Sequence, residues 1–424
     1  MVGGPRGSAS MGPPAIRRRV PSDPRVTALP RSPRFPRSDA LLAEAATVLA
    51  NWMPPLLDDA PRFTRRAWGC RLEDVDGNVF IDYFNAAGAV ILGHADPVVR
   101  SAIVSQLDLV PTSTIDHPLR IEVARALLPF FPKAERVAFF KTGSEATQAA
   151  VRLARRFTRR SVVLRHGFHG WYDWCSRNPG VPAEVQALTV EVPYNDLGAV
   201  EAQLTAQPVA ALILQPGGDY KLPEPGYLKS LVDLCHAHGA LVIFDEIRTG
   251  LRFVGGAQGL FGVYPDLTTV SKGLANGLPL SAVVGRADVL ALVKKSQVGG
   301  TYQRDVLAHA AAKATLAALV ERGTVGHLHA MGTRLMEGMR QVAAAHPALG
   351  MSVHGLPPMP RILFTPTEGS SRAMRDRFHA GLFARGVLFP PHHHLFISGA
   401  HGVAEIDETI EALAASAAAA AELG

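Results

Sequence analysis

Cysteine is scarce in this chain: three in 424 residues, Cys70, Cys175 and Cys235. An odd, scattered set argues against a disulfide framework or a cysteine zinc cluster, and for a reducing compartment. No apolar run approaches the roughly 20 residues that cross a bilayer, so no membrane span is expected and a cytoplasmic location is. Acid is nearly missing from one stretch. Residues 1–38 hold eight arginines and eight prolines but a single acid, Asp23. Setting those aside reduces 43 basic and 37 acidic residues to 35 and 36, so the formal net charge of +6 belongs to the tail. A near-neutral remainder argues against a nucleic-acid-binding body. Proline at that density opposes a stable helix, and no apolar segment follows the arginines as a secretory signal requires. Residues 1–38 are therefore expected to be a disordered basic tail. A basic anchoring arm, or a true start at Met11 or later, remains open.

Beyond the tail the chain has ordinary apolar and charged fractions, enough for one large α/β domain and a smaller one. A short helix is expected over Ala40–Asn51, a break at Pro54-Pro55, and then a hairpin; together these make an N-terminal segment, 39–95. From Asp96 strands alternate with helices. The strands are predicted at Arg136–Phe140, Ser161–Arg165, Leu188–Val192, Ala210–Leu214, Leu241–Asp245, Leu267–Val270 and Ser281–Gly285. Such alternation predicts a mostly parallel sheet sandwiched by helices, over 96–305, with its ligands at strand ends. Helices dominate from Val306. A smaller α+β unit closes the chain from Pro360 through Gly386–Pro391 and Leu395–Ser398, so that 306–424 forms a C-terminal small domain.

Two of those strand ends carry chemistry. Leu241-Val242-Ile243-Phe244 ends in Asp245, and Leu267-Thr268-Thr269-Val270-Ser271 leads into Lys272-Gly273. Pyridoxal 5'-phosphate needs these two groups: an amine to condense with its aldehyde as a Schiff base, and a carboxylate to keep its ring nitrogen protonated. Either residue alone reads as readily as a structural or solvated group. The run Phe139-Phe140-Lys141-Thr142-Gly143-Ser144-Glu145 adds a third part, a strand passing through glycine into a helix start. Backbone amides there suit a phosphate, and the Ser144 hydroxyl adds a donor. Arg165-His166-Gly167-Phe168-His169-Gly170-Trp171 sets an aromatic between glycines, where a flat ring can stack on a pyridine. Its two histidines could also be metal ligands, but no third ligand follows at suitable spacing. His392-His393-His394 is read as a polar rim, since in a strand at most His392 and His394 can face the same way.

In combination these motifs resemble a class III aminotransferase of fold type I, closest to the glutamate-1-semialdehyde aminomutase branch, from about Asp74 to the C-terminus. Asp74–Tyr83, turning at Asp76-Gly77, looks like that family's opening hairpin, and Ile91-Leu92-Gly93-His94 continues the pattern. The resemblance implies that Lys272 forms the Schiff base and Asp245 pairs with the pyridine nitrogen. It places Gly143 and Ser144 on the phosphate, Phe168 on one ring face in place of the usual tyrosine, and Ile247 on the other. Thr301, after Gly299-Gly300, would reach the phosphate of a neighbouring subunit, making a homodimer with shared sites. Asn85, Trp171, Gln215, Tyr302 and Arg304 are the candidate substrate residues.

Three departures from the family bear on substrate. Asn51–Leu57 lacks the serine and arginine that grip the aminomutase's substrate carboxylate. Gln215-Pro216 stands where Glu-Pro is usual. Tyr302 and Arg304 follow Thr301 where small residues are common. The expected activity is ping-pong transamination from an amino donor to a carbonyl acceptor, such as an oxidised sugar, an aminocyclitol or another specialised metabolite. An aminomutase or epimerase is the alternative. A non-enzymatic regulator is a third reading, but 38 proline-rich residues supply no helix-turn-helix.

Overall fold

Val209–Leu214, Leu241–Asp245, Leu267–Val270 and Ser281–Gly285 are buried at every position. Strands so apolar on both faces are stable only where other layers cover both sides. The computed structural model, which describes residues 35–50, 60–217, 221–365 and 372–422, places them in the middle of a seven-stranded sheet. From edge to edge the order is Arg136–Phe140, Ser281–Gly285, Leu267–Val270, Leu241–Asp245, Val209–Leu214, Val162–His166 and Thr189–Glu191. Ser281–Gly285 runs antiparallel to both neighbours, and the other pairs are parallel. The fold is thus α/β with a parallel-dominated sheet. Helix Gly143–Thr158 buries Ala146, Ala149, Ala150 and Ala154, small side chains that let it lie close on this sheet.

A second sheet joins the two ends of the chain. Arg71–Asp74 and Val79–Asp82 form the hairpin, Thr64–Trp68 flanks it, and the two-residue strand Val387–Leu388 adds in parallel beside Val79–Asp82. Asp74 organises the turn: its carboxylate accepts from the amides of Asp76 (2.9 Å) and Asn78 (2.8 Å), while Gly77 takes φ 88°. Long helices Val306–Glu321, Thr324–Ala345 and Val403–Ala421 and the hairpin Met351–Leu356 with Met359–Phe364 complete the C-terminal part.

Three expectations are corrected here. The first helix runs Pro36–Val48, so it begins inside the stretch read as tail. Proline is tolerated in a first helical turn, where the amide it lacks would have no intrahelical partner. Asp76 from the hairpin turn caps it, accepting from the amides of Arg37 (2.8 Å) and Ser38 (3.0 Å). Residues 1–34 and the Asn51–Leu57 segment lie outside the described residues. The small-domain strands begin at Met351, before Pro360. Of Gly386–Pro391 only Val387–Leu388 is a strand, because Pro390 and Pro391 offer no amide to a ladder. Leu395–Ser398 is irregular, with the amides of Leu395, Phe396 and Ile397 reaching the carbonyls of Pro360, Tyr83 and Pro358.

Arg252 ties these parts together from within. Fully buried, it donates to the carbonyls of Ile397 (2.8 Å) and Gly88 (2.9 Å) and lies over the Phe396 ring at 4.9 Å. Burial pulls its guanidinium below its ordinary value. Arg252→Ala strands two buried carbonyls and opens a void, and is expected to cost about 3–5 kcal/mol in urea unfolding. A loss under about 1 kcal/mol would contradict this role.

Candidate active site

The strand Leu267–Val270 ends at Ser271, whose hydroxyl donates to the Leu280 carbonyl (3.0 Å), and the next residue turns sharply. Lys272 adopts φ 48°, a left-handed conformation that side chains seldom take and that surrounding structure must enforce. Its Nζ donates to the Ala87 carbonyl at 2.8 Å. That carbonyl is set by another strained turn, in which Asn85, Ala86 and Ala87 all have positive φ. Asn85 holds the turn: its amide donates to Asp82 (3.0 Å) and its side chain to the Phe396 carbonyl (2.7 Å). Burial, reinforced by the positive charges of Arg248 and Arg252 and opposed by Asp245, brings the Lys272 amine from 10.5 down to about 8.

Asp245 closes the neighbouring strand. Its carboxylate accepts from the Thr269 hydroxyl (3.1 Å), the Ile247 amide (3.2 Å) and His169 Nδ1 (2.7 Å). His169 is buried, bonds the His166 carbonyl through Nε2 (2.9 Å) and stacks against Trp174 at 6.2 Å between centroids. From sequence His169 shows only as a possible metal ligand, discounted for want of a third. The signal that could have found it is positional: a buried carboxylate at a strand end needs a donor, and the loop leaving Val162–His166, two strands away in the sheet, presents His169 between Gly167 and Gly170.

The helix beginning at Gly143 is capped by Thr142 and Glu145 in a reciprocal box, leaving the first-turn amides of Gly143 and Ser144 without intrahelical partners. A Cβ at Gly143 would come within 2.8 Å of Ile247 Cδ1, so glycine here admits Ile247. Gly170, at φ 112°, likewise leaves no room for a side chain beside Ser144.

One cavity of about 550 Å³ gathers these groups. It is lined by Gly143, Ser144, Phe168, His169, Gln215, Asp245, Ile247, Arg248 and Lys272, and closed on another side by Arg361 and His392–His394. All three histidines face it, where alternation along a strand allowed two, because Pro391 to His393 form a turn and bend. The remaining candidates lie elsewhere. Asn85 is buried beneath Lys272 as described, and Trp171 is 73% exposed, edge-on to Tyr172. Thr301, Tyr302 and Arg304 lie on the exposed 3-10 turn Thr301–Arg304; Thr301 and Tyr302 line a second cavity with Lys141, Glu145 and Arg152.

Residues 55–394 match the model of the family described as Aminotransferase class-III. The chain belongs to this family. It is 37% identical to glutamate-1-semialdehyde 2,1-aminomutase of Sorangium cellulosum (strain So ce56), over 91% of this chain and 98% of the relative. A 3-aminobutyryl-CoA aminotransferase of Cloacimonas acidaminovorans (strain Evry) is 32% identical over 83% of this chain and 88% of the relative. The FumI protein of Sphingopyxis sp. MTA144, whose structure carries PLP, superposes with a TM-score of 0.85 at 28% identity, covering 90% of this chain and 96% of that one. This class III aminotransferase is fold type I, and its cofactor is pyridoxal 5'-phosphate. Among the described residues no helix is long and apolar enough to cross a membrane.

Proposed function

We propose that this class III aminotransferase exchanges an amino group between carbon atoms of one small molecule, an aminomutase-type reaction. The observation that carries amino transfer is the meeting of Lys272, Asp245 and the Ser144 helix start in one cavity. The intramolecular course is supported by relatives named glutamate-1-semialdehyde 2,1-aminomutase at 34–37% identity. Ping-pong transamination with a separate donor is the second reading, supported by the relative named 3-aminobutyryl-CoA aminotransferase.

The residues present fit the cofactor. Ser144 and the first-turn amides would take its phosphate, Asp245 its ring nitrogen, Phe168 and Ile247 the two ring faces, and Lys272 its carbonyl carbon. When bound, it supplies an electron-accepting ring that lets a proton leave the carbon bearing the amine. Lys272, neutral above about pH 8, would remove that proton and return it at a neighbouring atom. Asp245 would keep a proton on the ring nitrogen, with His169 and Thr269 fixing the direction of its carboxylate. Thr301 would serve the site of a second copy of the chain, which would make a homodimer the working unit.

Because the reactive amine is the unprotonated form, capture of pyridoxal phosphate by the cofactor-free protein is expected to speed up with pH and level off above about 8. A rate still climbing tenfold per unit at pH 10 would contradict this. Single-substrate turnover tests the main reading. Loss of the aldehyde of glutamate 1-semialdehyde, with no donor added and no other carbonyl product released, is the expected result. A strict need for a second amino compound, with its carbonyl product formed in equal amount, would replace this reading with transamination.

A further inference from the structure

Lys141 stands between the strand Arg136–Phe140 and the helix start that faces the phosphate, one residue before the cap Thr142. Its amide donates to Glu145 Oε2 at 2.7 Å, which ties its backbone to the same reciprocal box. Its side chain lines the second cavity beside Thr301, rather than the one holding Lys272, and donates through Nζ to Asp305 Oδ2. Asp305 closes the turn Thr301–Arg304, and its amide donates to the Tyr302 carbonyl (3.1 Å). Its other oxygen, Oδ1, accepts from the amides of Leu307 (2.9 Å) and Ala308 (3.3 Å) and so caps the helix Val306–Glu321. The two side chains of the ion pair are 16% and 19% exposed, so water screens it little and each end sits on a rigid element. Thr301, Tyr302 and Arg304 are exposed, so the place of the turn is set at its base. Backbone bonds from Ser113 to the Arg304 carbonyl (3.2 Å) and from Val306 to the Pro111 carbonyl (2.8 Å) hold one side of it. Lys141 ties it to the phosphate-facing helix start.

We propose that Lys141, acting through Asp305, is a positioning residue for the cofactor: it sets the Thr301 turn against this chain's own phosphate-facing helix start, so that Thr301 is presented to the phosphate held by the second copy. The inference rests on the shared-site reading above and names the tie that keeps the two copies' sites in register.

Pyridoxamine 5'-phosphate is the probe, since its amine cannot condense with Lys272, and pyridoxamine, which lacks the phosphate, is the control. Their dissociation constants are measured by calorimetry on the cofactor-free full chain for the wild type, Thr301→Val, Lys141→Met and the double variant. Thr301→Val removes a hydroxyl donor to a charged acceptor and is expected to weaken the phosphorylated probe about tenfold. Lys141→Met is expected to weaken it at least about threefold in the wild-type background but less than about 1.5-fold in Thr301→Val, since a residue acting through Thr301 then has nothing left to place. Pyridoxamine affinity is expected to change less than about twofold throughout, whereas general damage to the cavity would weaken both ligands. Lys141→Met should fold, because Asp305 keeps both helix amides; Asp305→Asn breaks the pair from the other end, still caps the helix and is expected to match it. Unchanged affinity in Lys141→Met, the same loss with and without Thr301, or equal weakening of pyridoxamine would each overturn the proposal. Unchanged affinity in Thr301→Val would overturn the shared-site reading, and the proposal with it.

Discussion

Lys272→Ala is expected to lower amino transfer at least about 10⁴-fold, because one substitution removes both the group that holds the cofactor covalently and the base that moves the proton. No other lysine lines the cavity among the described residues. The variant should still fold. The strained φ of 48° remains, but the buried amine whose desolvation pulled it down to about 8 is gone, and the single bond lost is to the Ala87 carbonyl. Rates and visible spectra measured side by side separate the cases: a folded protein with no covalently held cofactor and no turnover is the expected outcome. A variant keeping more than about a hundredth of the rate would mean that another group carries the proton.

Asp245→Asn should cost about 10²–10³-fold, with the cofactor still bound. An amide cannot stabilise the protonated ring nitrogen as a carboxylate does. There is a second, local penalty, since His169 Nδ1, the Thr269 hydroxyl and the Ile247 amide all converge on Asp245 as donors. With its oxygen kept toward Thr269 and Ile247, asparagine turns its amide nitrogen on His169, which must give up its Nδ1 proton to accept it. Kinetics of the PLP-saturated variant check this: a fall in kcat with cofactor affinity changed much less is expected. A variant within threefold of the wild type would remove Asp245 from the chemistry.

Several strands of the large sheet were legible because their apolar runs are nearly continuous and bounded by turn residues. Arg136–Phe140, Leu241–Asp245, Leu267–Val270 and Ser281–Gly285 have the bounds read from sequence. The positions of Lys272, Asp245 and Ser144 at the ends of such elements followed from the same pattern, since a strand end on a covered sheet opens onto a crevice. What sequence concealed depends on contacts between distant segments. The helix at Pro36 is capped from Asp76, and nothing near Pro36 announces it. Asn85 looked like a substrate residue, yet its bonds to Asp82 and Phe396 give it the task of shaping the turn under Lys272. His169 was legible as a histidine but not as a partner of Asp245, because the pairing spans 76 residues of chain. The histidine run was read with the alternation of a strand, and the turn at Pro391 cancels that rule. Gln215 was visible as an exception; its two hydrogen bonds, to Phe168 and Arg248, give the exception a physical content.

Borohydride reduction of the PLP-loaded protein, followed by peptide mass mapping, tests the central claim most directly. It fixes the cofactor to whichever amine holds it. One pyridoxyl group per chain, on the peptide containing Lys272, is the result expected from a buried amine poised near pH 8 beside Asp245 and the Ser144 helix start. A label on another lysine, or no label at all with cofactor in excess, would contradict the account.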